Sequence, residues 1–202
     1  MAERDDLVQH LESYLGEIAG GWSKDAASER MPFQIVRFEE RPEHGLTTYS
    51  TLGLSRHVLD LPTKNVRQEL VMTVDRVFAT PSVVSVLATV GELVLDRHRG
   101  LLRGEVLQPR GALTPSARLE ALYAAAPVML PDEFATLLGS DPPTVFVWLV
   151  PISNREADLV ATHGWGWFED QLVEQQPDLY DLERRDIRHE QTRDEAGHGG
   201  AR

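Results

Sequence analysis

A nearly continuous apolar run, Thr144–Ile152, restricts the fold more than any other stretch of the sequence. Its length is typical of a central strand covered on both faces, because a strand with one face in water would alternate apolar and polar residues. The residues that follow, Ser153-Asn154-Arg155-Glu156, have the spacing of a capping box, in which the serine and glutamate side chains each bind the other's backbone N–H. The pattern predicts a buried strand that leads directly into a helix over Asn154–His163.

Three further segments have the composition of strands. Phe33–Glu39 follows Pro32, and Val66–Asp75 alternates apolar and polar side chains. Leu46–Leu54 combines threonine and tyrosine, which suit a half-buried pleated surface, with a glycine that a regular strand would not favour. Gly53 therefore indicates a bulge or a close approach of the backbone, and the hydroxyl residues around it offer polar groups that a partner could contact.

Arg67 and Glu69 lie two residues apart on the polar face of the Val66–Asp75 strand. We expect them to pair with each other or with a neighbouring strand, as charged residues on one face of a sheet do. Such a pair is usually a structural contact.

Amphipathic patterns predict a helix over residues 5–19, another over Pro81–His98 and a third over Trp165–Gln175. Together the strands and helices predict an α+β domain with a mixed, largely antiparallel central sheet, against which the helices pack. We assign residues 1–182 to this single domain. The charged and then Gly-rich residues 183–202 are expected to form a mobile tail.

The composition disfavours several functional classes. The 202 residues include no cysteine, which excludes disulfides and thiolate metal sites and is usual in a reducing cytoplasm. The formal net charge of −12 disfavours binding to nucleic acid, because affinity for phosphates depends on Lys and Arg. No apolar run is long enough to cross a bilayer. We expect a cytoplasmic protein with neither a membrane nor a nucleic-acid partner, whose charge attracts a basic protein.

Sequence motifs for catalysis are mostly missing. The sequence contains no Gly-rich phosphate loop, no His-Glu-x-x-His zinc motif and no Gly-x-Ser-x-Gly nucleophile motif. The seven histidines are scattered without metal-ligand spacing inside one predicted element, so we expect no metal or other cofactor. One catalytic alternative is a small hydrolase that uses Ser55, His57 and Glu69, which would have to converge in a pocket.

Three separated segments resemble, in order and spacing, the motifs of the suppressor-of-fused domain family. They are Tyr49-Ser50-Thr51-Leu52-Gly53-Leu54-Ser55, then Arg67-Gln68-Glu69-Leu70, and then Pro151-Ile152 followed by Glu156 and Gly164. The resemblance extends over roughly Phe33–Leu182, which is most of the chain.

The resemblance implies a protein that binds other proteins and is not an enzyme. Animal members of the family hold a transcription factor of the Hedgehog pathway by taking its short peptide as an added strand between two domains. Bacterial members resemble stand-alone versions of the N-terminal domain, and many are thought to be immunity proteins that neutralise a polymorphic toxin. By resemblance this chain is an immunity protein that occludes its toxin, and a basic toxin would suit its charge.

The family motifs also supply the candidate partner-binding residues. We hypothesise that the end of the Tyr49–Ser55 segment, the Arg67/Glu69 face and the Ile152–Glu156 turn form one contact surface. The alternative is that the fold alone requires these residues. The full set is Tyr49, Thr51, Gly53, Ser55, Arg67, Glu69, Pro151 and Glu156.

A regulatory scaffold is a second non-catalytic alternative. Such a protein would bind a peptide or a transcription factor by adding it as a strand to its own sheet. This function requires an accessible sheet edge.

Overall fold

The computed structural model of the protein describes residues 2–25, 27–108 and 119–189. Its strands are β1 Gly20–Lys24, β2 Arg30–Glu39, β3 Leu46–Leu52, β4 Leu59–Asp60, β5 Asn65–Asp75, β6 Val106–Leu107, β7 Ala121–Ala125, β8 Thr136–Leu137 and β9 Thr144–Ile152. Its α-helices are α1 Ala2–Leu15, α2 Pro81–Asp96, α3 Asn154–His163 and α4 Trp165–Gln175. In the described ranges, no helix is long and apolar enough to cross a membrane.

The strands form one sheet in the order β1-β2-β3-β5-β9-β7-β6, with β4 paired to β5 and β8 paired to β9. The central pair, β5 and β9, is parallel, and Arg67 lies opposite Thr144. The other strand pairs in the described ranges are antiparallel. This architecture confirms the predicted α+β class with a mixed, largely antiparallel sheet.

Helices cover both faces of the sheet, as the apolar run of β9 predicts. Val147 and Leu149 belong to the core beneath α2, whereas Trp148 and Val150 belong to the core beneath α3 and α4. Because successive strand residues point to opposite faces, α2 lies on one face and the α3–α4 pair lies on the other. Helix α1 shares the face of α3 and α4, since it packs on residues such as Phe146.

The predicted capping box at the end of β9 is confirmed. The Glu156 N–H donates to Ser153 Oγ over 3.1 Å, and the Ser153 N–H donates to Glu156 Oε2 over 3.0 Å. The chain therefore passes from the central strand into α3 without a connecting loop.

The predicted extent of the first helix was wrong. Helix α1 ends at Leu15, because Gly16 adopts a left-handed backbone conformation with a φ of +75°. Gly20-Gly21, which we expected to end the helix, instead begins β1. Strand β2 also begins earlier than predicted, at Arg30, and includes Pro32.

The packed part of the chain continues beyond Leu182, where we predicted the tail to begin. Arg184 and Ile187 are buried, with exposed fractions of 5% and 2%. The prediction that residues 183–189 belong to a mobile tail was therefore wrong. Residues 190–202 lie outside the described part of the chain.

Candidate functional site

Glu69 is fully buried in β5, next to the point where β3 ends, and its carboxylate accepts four hydrogen bonds. Oε1 accepts from the Gly53 N–H over 2.8 Å, from the Ser55 N–H over 3.0 Å and from the Ser55 hydroxyl over 2.7 Å. Oε2 accepts from the Thr51 hydroxyl over 2.5 Å. We call Thr51, Gly53, Ser55, Arg67 and Glu69 the Glu69 cluster.

The turn after β3 brings these donors to the carboxylate. Gly53 has a φ of +97°, a left-handed conformation that favours glycine, and a 3-10 turn over Leu54–Arg56 follows it. Thr51 Oγ1 also accepts from the Leu70 N–H over 2.8 Å, so the threonine side chain binds a backbone donor of the neighbouring strand. The hydroxyl residues and the glycine of this segment thus form one turn anchored on Glu69.

Arg67 and Glu69 do not pair with each other; of the two alternatives we expected, each binds neighbouring parts of the chain, the end of β3 and the turn after it. The Nη1 of Arg67 donates to the Ser55 carbonyl over 2.8 Å and to the Arg56 carbonyl over 3.3 Å. The donors of the turn already occupy both oxygens of Glu69. Glu69 therefore binds the N–H and hydroxyl groups of the turn, while Arg67 binds its carbonyl groups.

The electrostatics of Glu69 reflect its burial without a cationic partner. Burial raises the pKa of the Glu69 carboxyl, and the hydrogen bonds from Thr51, Ser55 and Gly53 oppose this shift. Because four donors surround the carboxylate, the charge is stabilised by dipoles rather than by an ion pair.

A small pocket of ≈ 50 Å³ opens beside the Glu69 cluster. Its wall includes Gly53, Ser55 and Arg67, and the opposite side includes Asp6 of α1 and the loop around Leu138. The pocket is too small for a cofactor, whose sites usually measure about 300–1,000 Å³. It can take the end of one side chain from a partner.

The hydrolase alternative lacks its base. Ser55 and Glu69 converge as that alternative required, but the exposed side chain of His57 forms no hydrogen bond with either of these described residues. The Ser55 hydroxyl donates its proton directly to the Glu69 carboxylate, and Ser55 is only 8% exposed. The arrangement therefore does not activate the serine through a histidine, as a triad requires.

Metal binding also finds no support in the described ranges. No group of three or more His, Cys, Asp or Glu residues in these ranges could hold a metal ion. The polar cluster around Glu69 consists mainly of donors, whereas a metal needs acceptors.

Pro151 and Glu156 belong to a second buried cluster, at the junction of β9 and α3. Arg184 donates to the two oxygens of Glu156 over 2.7 and 2.8 Å, and to the Pro151 carbonyl over 3.2 Å. The Ile187 N–H donates to Glu156 Oε1 over 3.0 Å. This Glu156 cluster attaches the segment after α4 to the central strand, and its side chains face the interior.

The structure does not bring the three family segments together on one surface. Glu69 lies opposite Phe146 on β9, and Pro151 lies five residues further along that strand, which corresponds to about 16 Å. Tyr49 is 1% exposed and packs in the core beneath α2. Of the candidate residues, Thr51, Gly53, Ser55, Arg67 and Glu69 converge, whereas Tyr49, Pro151 and Glu156 do not join them.

Arg184 and Leu101 supply buried contacts that the sequence did not predict. Arg184 binds Glu156 across 28 residues, and the Leu101 backbone N–H and C=O both bind the Gln68 side chain, each over 2.8 Å. No local sequence signal identifies Arg184 or Leu101 as the partner in these contacts. Gln68 is a polar residue on the apolar face of β5, and this exception indicates a buried partner without identifying it.

Comparison with known proteins identifies the family. The family model described as suppressor of fused protein (SUFU) matches residues 29–185, which include the Glu69 cluster and the Glu156–Arg184 ion pair. The chain belongs to the suppressor of fused family. Its sequence is 22% identical over 156 residues to Immunity protein YqcF of Bacillus subtilis (strain 168), a match that covers 76% of this chain and 80% of that protein.

Solved structures of other SUFU proteins share the fold. A SUFU homolog from Neisseria gonorrhoeae FA 1090 matches with a TM-score of 0.75 at 18% identity, covering 95% of this chain and 100% of that one. The matching chain of a Sufu-Fu complex has a TM-score of 0.69 at 13% identity, with 90% of each chain covered. Drosophila Suppressor of Fused has a TM-score of 0.64 at 15% identity; 88% of this chain aligns with 49% of that chain, about half its length.

Proposed function

We propose that this SUFU-family chain is a non-catalytic protein-binding domain that acts in the cytoplasm as an immunity protein. It neutralises a cognate toxin by covering the surface that the toxin needs for its activity. The observation that carries this proposal is the similarity to Immunity protein YqcF, which extends over 80% of that relative. The presence of a SUFU protein in the Sufu-Fu complex supports a protein partner in general terms.

The site geometry supports binding rather than catalysis. Ser55 uses its hydroxyl proton to bind Glu69, and both residues serve to hold the turn that forms one wall of the pocket. A rigid turn is useful for recognition, because a surface that is ordered before binding loses less conformational entropy in the complex.

The net charge of −12 supports a basic toxin as the partner. An excess of negative charge attracts a cationic protein and raises its association rate, most strongly at low salt. Two proteins that must meet quickly after synthesis benefit from such steering.

The test begins with purification of the tagged chain from its host at low and at high salt, with bound proteins identified by mass spectrometry. The captured protein is then expressed in a second host, alone and together with this chain. We expect growth arrest by the captured protein alone and normal growth when both are present. A captured protein that is harmless, or whose toxicity this chain does not reduce, would refute the proposal.

A regulatory scaffold that binds by strand addition is a second candidate, and the position of β1 favours it. In the described ranges, Gly20–Lys24 pairs on one side only, with β2, and lies at the end of the sheet. A peptide added there would bind the free backbone groups of β1. Hydrogen exchange in the presence of the captured partner tests this: strand addition slows exchange at residues 20–24, whereas occlusion by another surface does not.

A further inference from the structure

Two depressions meet around Arg56 and form one groove. The pocket beside the Glu69 cluster, of ≈ 50 Å³, and a larger depression of ≈ 420 Å³ share Leu52 and Arg56 in their walls. The larger depression exists because β3 ends at Leu52, opposite Gln34, while β2 continues past that point toward Arg30. We call the combined surface the Arg56 groove.

The groove has a local charge opposite to that of the protein. Arg30, Arg56 and Arg67 lie in its walls, together with one carboxylate, that of Asp6. Among the described residues, these three arginines form no ion pair. In a sequence with 32 acidic and 20 basic residues, a groove whose described walls carry three arginines and one carboxylate is a local exception to the overall charge.

Five other arginines in the described ranges form ion pairs with glutamates. The pairs are Arg37–Glu39, Arg76–Glu40, Arg99–Glu105, Arg103–Glu169 and Arg184–Glu156. In the groove the side chains of Arg30 and Arg56 are exposed, and a planar guanidinium group can bind a carboxylate with two hydrogen bonds. Arg67 already donates from Nη1 to two backbone carbonyls, so it adds positive charge to the pocket and has fewer donors left for a partner.

The Glu69 cluster fixes the shape of this groove. Glu69 holds the backbone of Gly53 and Ser55, and Arg67 holds the carbonyls of Ser55 and Arg56. The backbone that carries the exposed Arg56 side chain is thus bound from both sides. Arg67 in addition lines the pocket itself.

An apolar residue lies at the rim of the groove. Leu138 is 76% exposed and lines the pocket next to Gly139, while Leu52 is buried in the floor. A large exposed apolar side chain beside a charged pocket is typical of an interface, where apolar contacts exclude water from a neighbouring polar contact.

We propose that the Arg56 groove binds an acidic segment of the partner protein. A carboxylate of this segment contacts Arg56 and Arg67, and an adjacent apolar side chain contacts Leu138. The proposal depends on the proposed function only in that the partner is a protein. An acidic segment can belong to a partner whose net charge is positive. The net charge of this chain attracts such a partner over a long range, whereas the arginines of the groove contact one segment of it within a Debye length of about 8 Å.

The test is a titration of the ¹⁵N-labelled full chain, followed by NMR, with a blocked tetrapeptide of alternating glutamate and leucine. We expect chemical-shift changes at the backbone amides of Gly53, Arg56 and Gly139. Arg56→Glu should weaken peptide binding about tenfold, because it replaces an attraction by a repulsion. The matched control, Arg155→Glu on the exposed start of α3, should bind the peptide as the wild type does.

Three results would overturn this proposal. The first is no shift change with the acidic peptide, and the second is equal weakening by Arg56→Glu and Arg155→Glu. The third is equal or larger shift changes with inorganic phosphate or a short single-stranded DNA, which would assign the groove to phosphate groups instead. An alternating lysine–leucine peptide, expected to cause no shifts at these amides, controls for the leucines.

The same variants separate this proposal from the immunity proposal. If the wild-type chain protects cells from the captured toxin and Arg56→Glu protects them equally well, the groove is not the toxin contact, but the immunity function stands. If the wild-type chain fails to protect while the acidic peptide still binds at Arg56, the immunity function fails and the groove remains an acidic-segment site.

Discussion

Replacement of Glu69 by alanine removes the acceptor of four hydrogen bonds at once. The Thr51 and Ser55 hydroxyls can rotate to other acceptors, but the Gly53 and Ser55 N–H groups are fixed by the turn and would stay unpaired. Each buried donor left without a partner costs about 1–3 kcal/mol. Since the adjacent pocket lets water reach part of the site, we expect the free energy of unfolding to fall by roughly 3 kcal/mol.

Equilibrium unfolding in urea, followed by tryptophan fluorescence and by circular dichroism, measures this loss. With a slope of about 2 kcal/mol per molar urea, the midpoint should fall by about 1.5 M. Glu17→Ala, an exposed glutamate on the chain after α1, is the control and should change stability by less than about 0.5 kcal/mol.

A double-mutant cycle with Thr51→Val tests the cause of the effect. Thr51 binds both Glu69 and the Leu70 N–H, so the two substitutions disrupt one network and should be non-additive by about 0.5–3 kcal/mol. The reasoning is refuted if Glu69→Ala leaves the midpoint unchanged, or if the two losses add to within the error of measurement. An unchanged midpoint would mean that these hydrogen bonds contribute no net stability, and additive losses would mean that Thr51 and Glu69 do not act as one network.

Three other perturbations have defined outcomes. Burial raises the pKa of Glu69, so the folded state favours the protonated carboxyl. The stability that this protonation contributes is complete below the unfolded pKa of about 4.3 and is lost as pH rises through the raised pKa of the folded state. The stability of the wild type minus that of Glu69→Gln, from urea unfolding at several pH values, should therefore fall with rising pH; a constant or rising difference contradicts this. Arg184→Met leaves a buried carboxylate without its ion pair and should cost about 3–5 kcal/mol in the same assay, whereas exposed Arg185→Met should cost little. Gly91→Ala places a Cβ 2.4 Å from the ring of a buried phenylalanine of β2 and should lower the thermal midpoint, while Gly166→Ala, with open space around it, should not.

The parts of the fold that sequence could predict depend on signals between near neighbours. The β9 run is apolar on both faces, and the Ser153 and Glu156 side chains sit three residues apart, so both features can be read from one short segment. Strand β1 has no such signal, because its two glycines are typical of a helix end. The start of β1 depends on pairing with residues of β2 near Arg37, which only the tertiary structure supplies.

The candidate site was predictable in its members but not in its contacts. The residues around Gly53 converge with Arg67 and Glu69, but their spacing left open whether the two charged residues pair with each other or with a neighbouring strand. Side chains two residues apart on a strand share a face, so an ion pair between Arg67 and Glu69 was possible. The end of β3 and the turn after it instead place four neutral donors on the Glu69 carboxylate. The second cluster was not predictable, because Arg184 lies in a charged segment that resembles a solvent-exposed tail.

The parallel pairing of β5 with β9 also determines when this protein can fold during its synthesis. Arg67 meets Thr144, so the centre of the sheet stays incomplete until β9, which ends at Ile152, has been translated. At about 5–20 residues per second, a ribosome needs about 4–15 s to pass from β5 to β9. During that interval β5 lacks the strand that pairs with one of its edges, and an unpaired edge rich in apolar residues is prone to aggregation in a nascent chain.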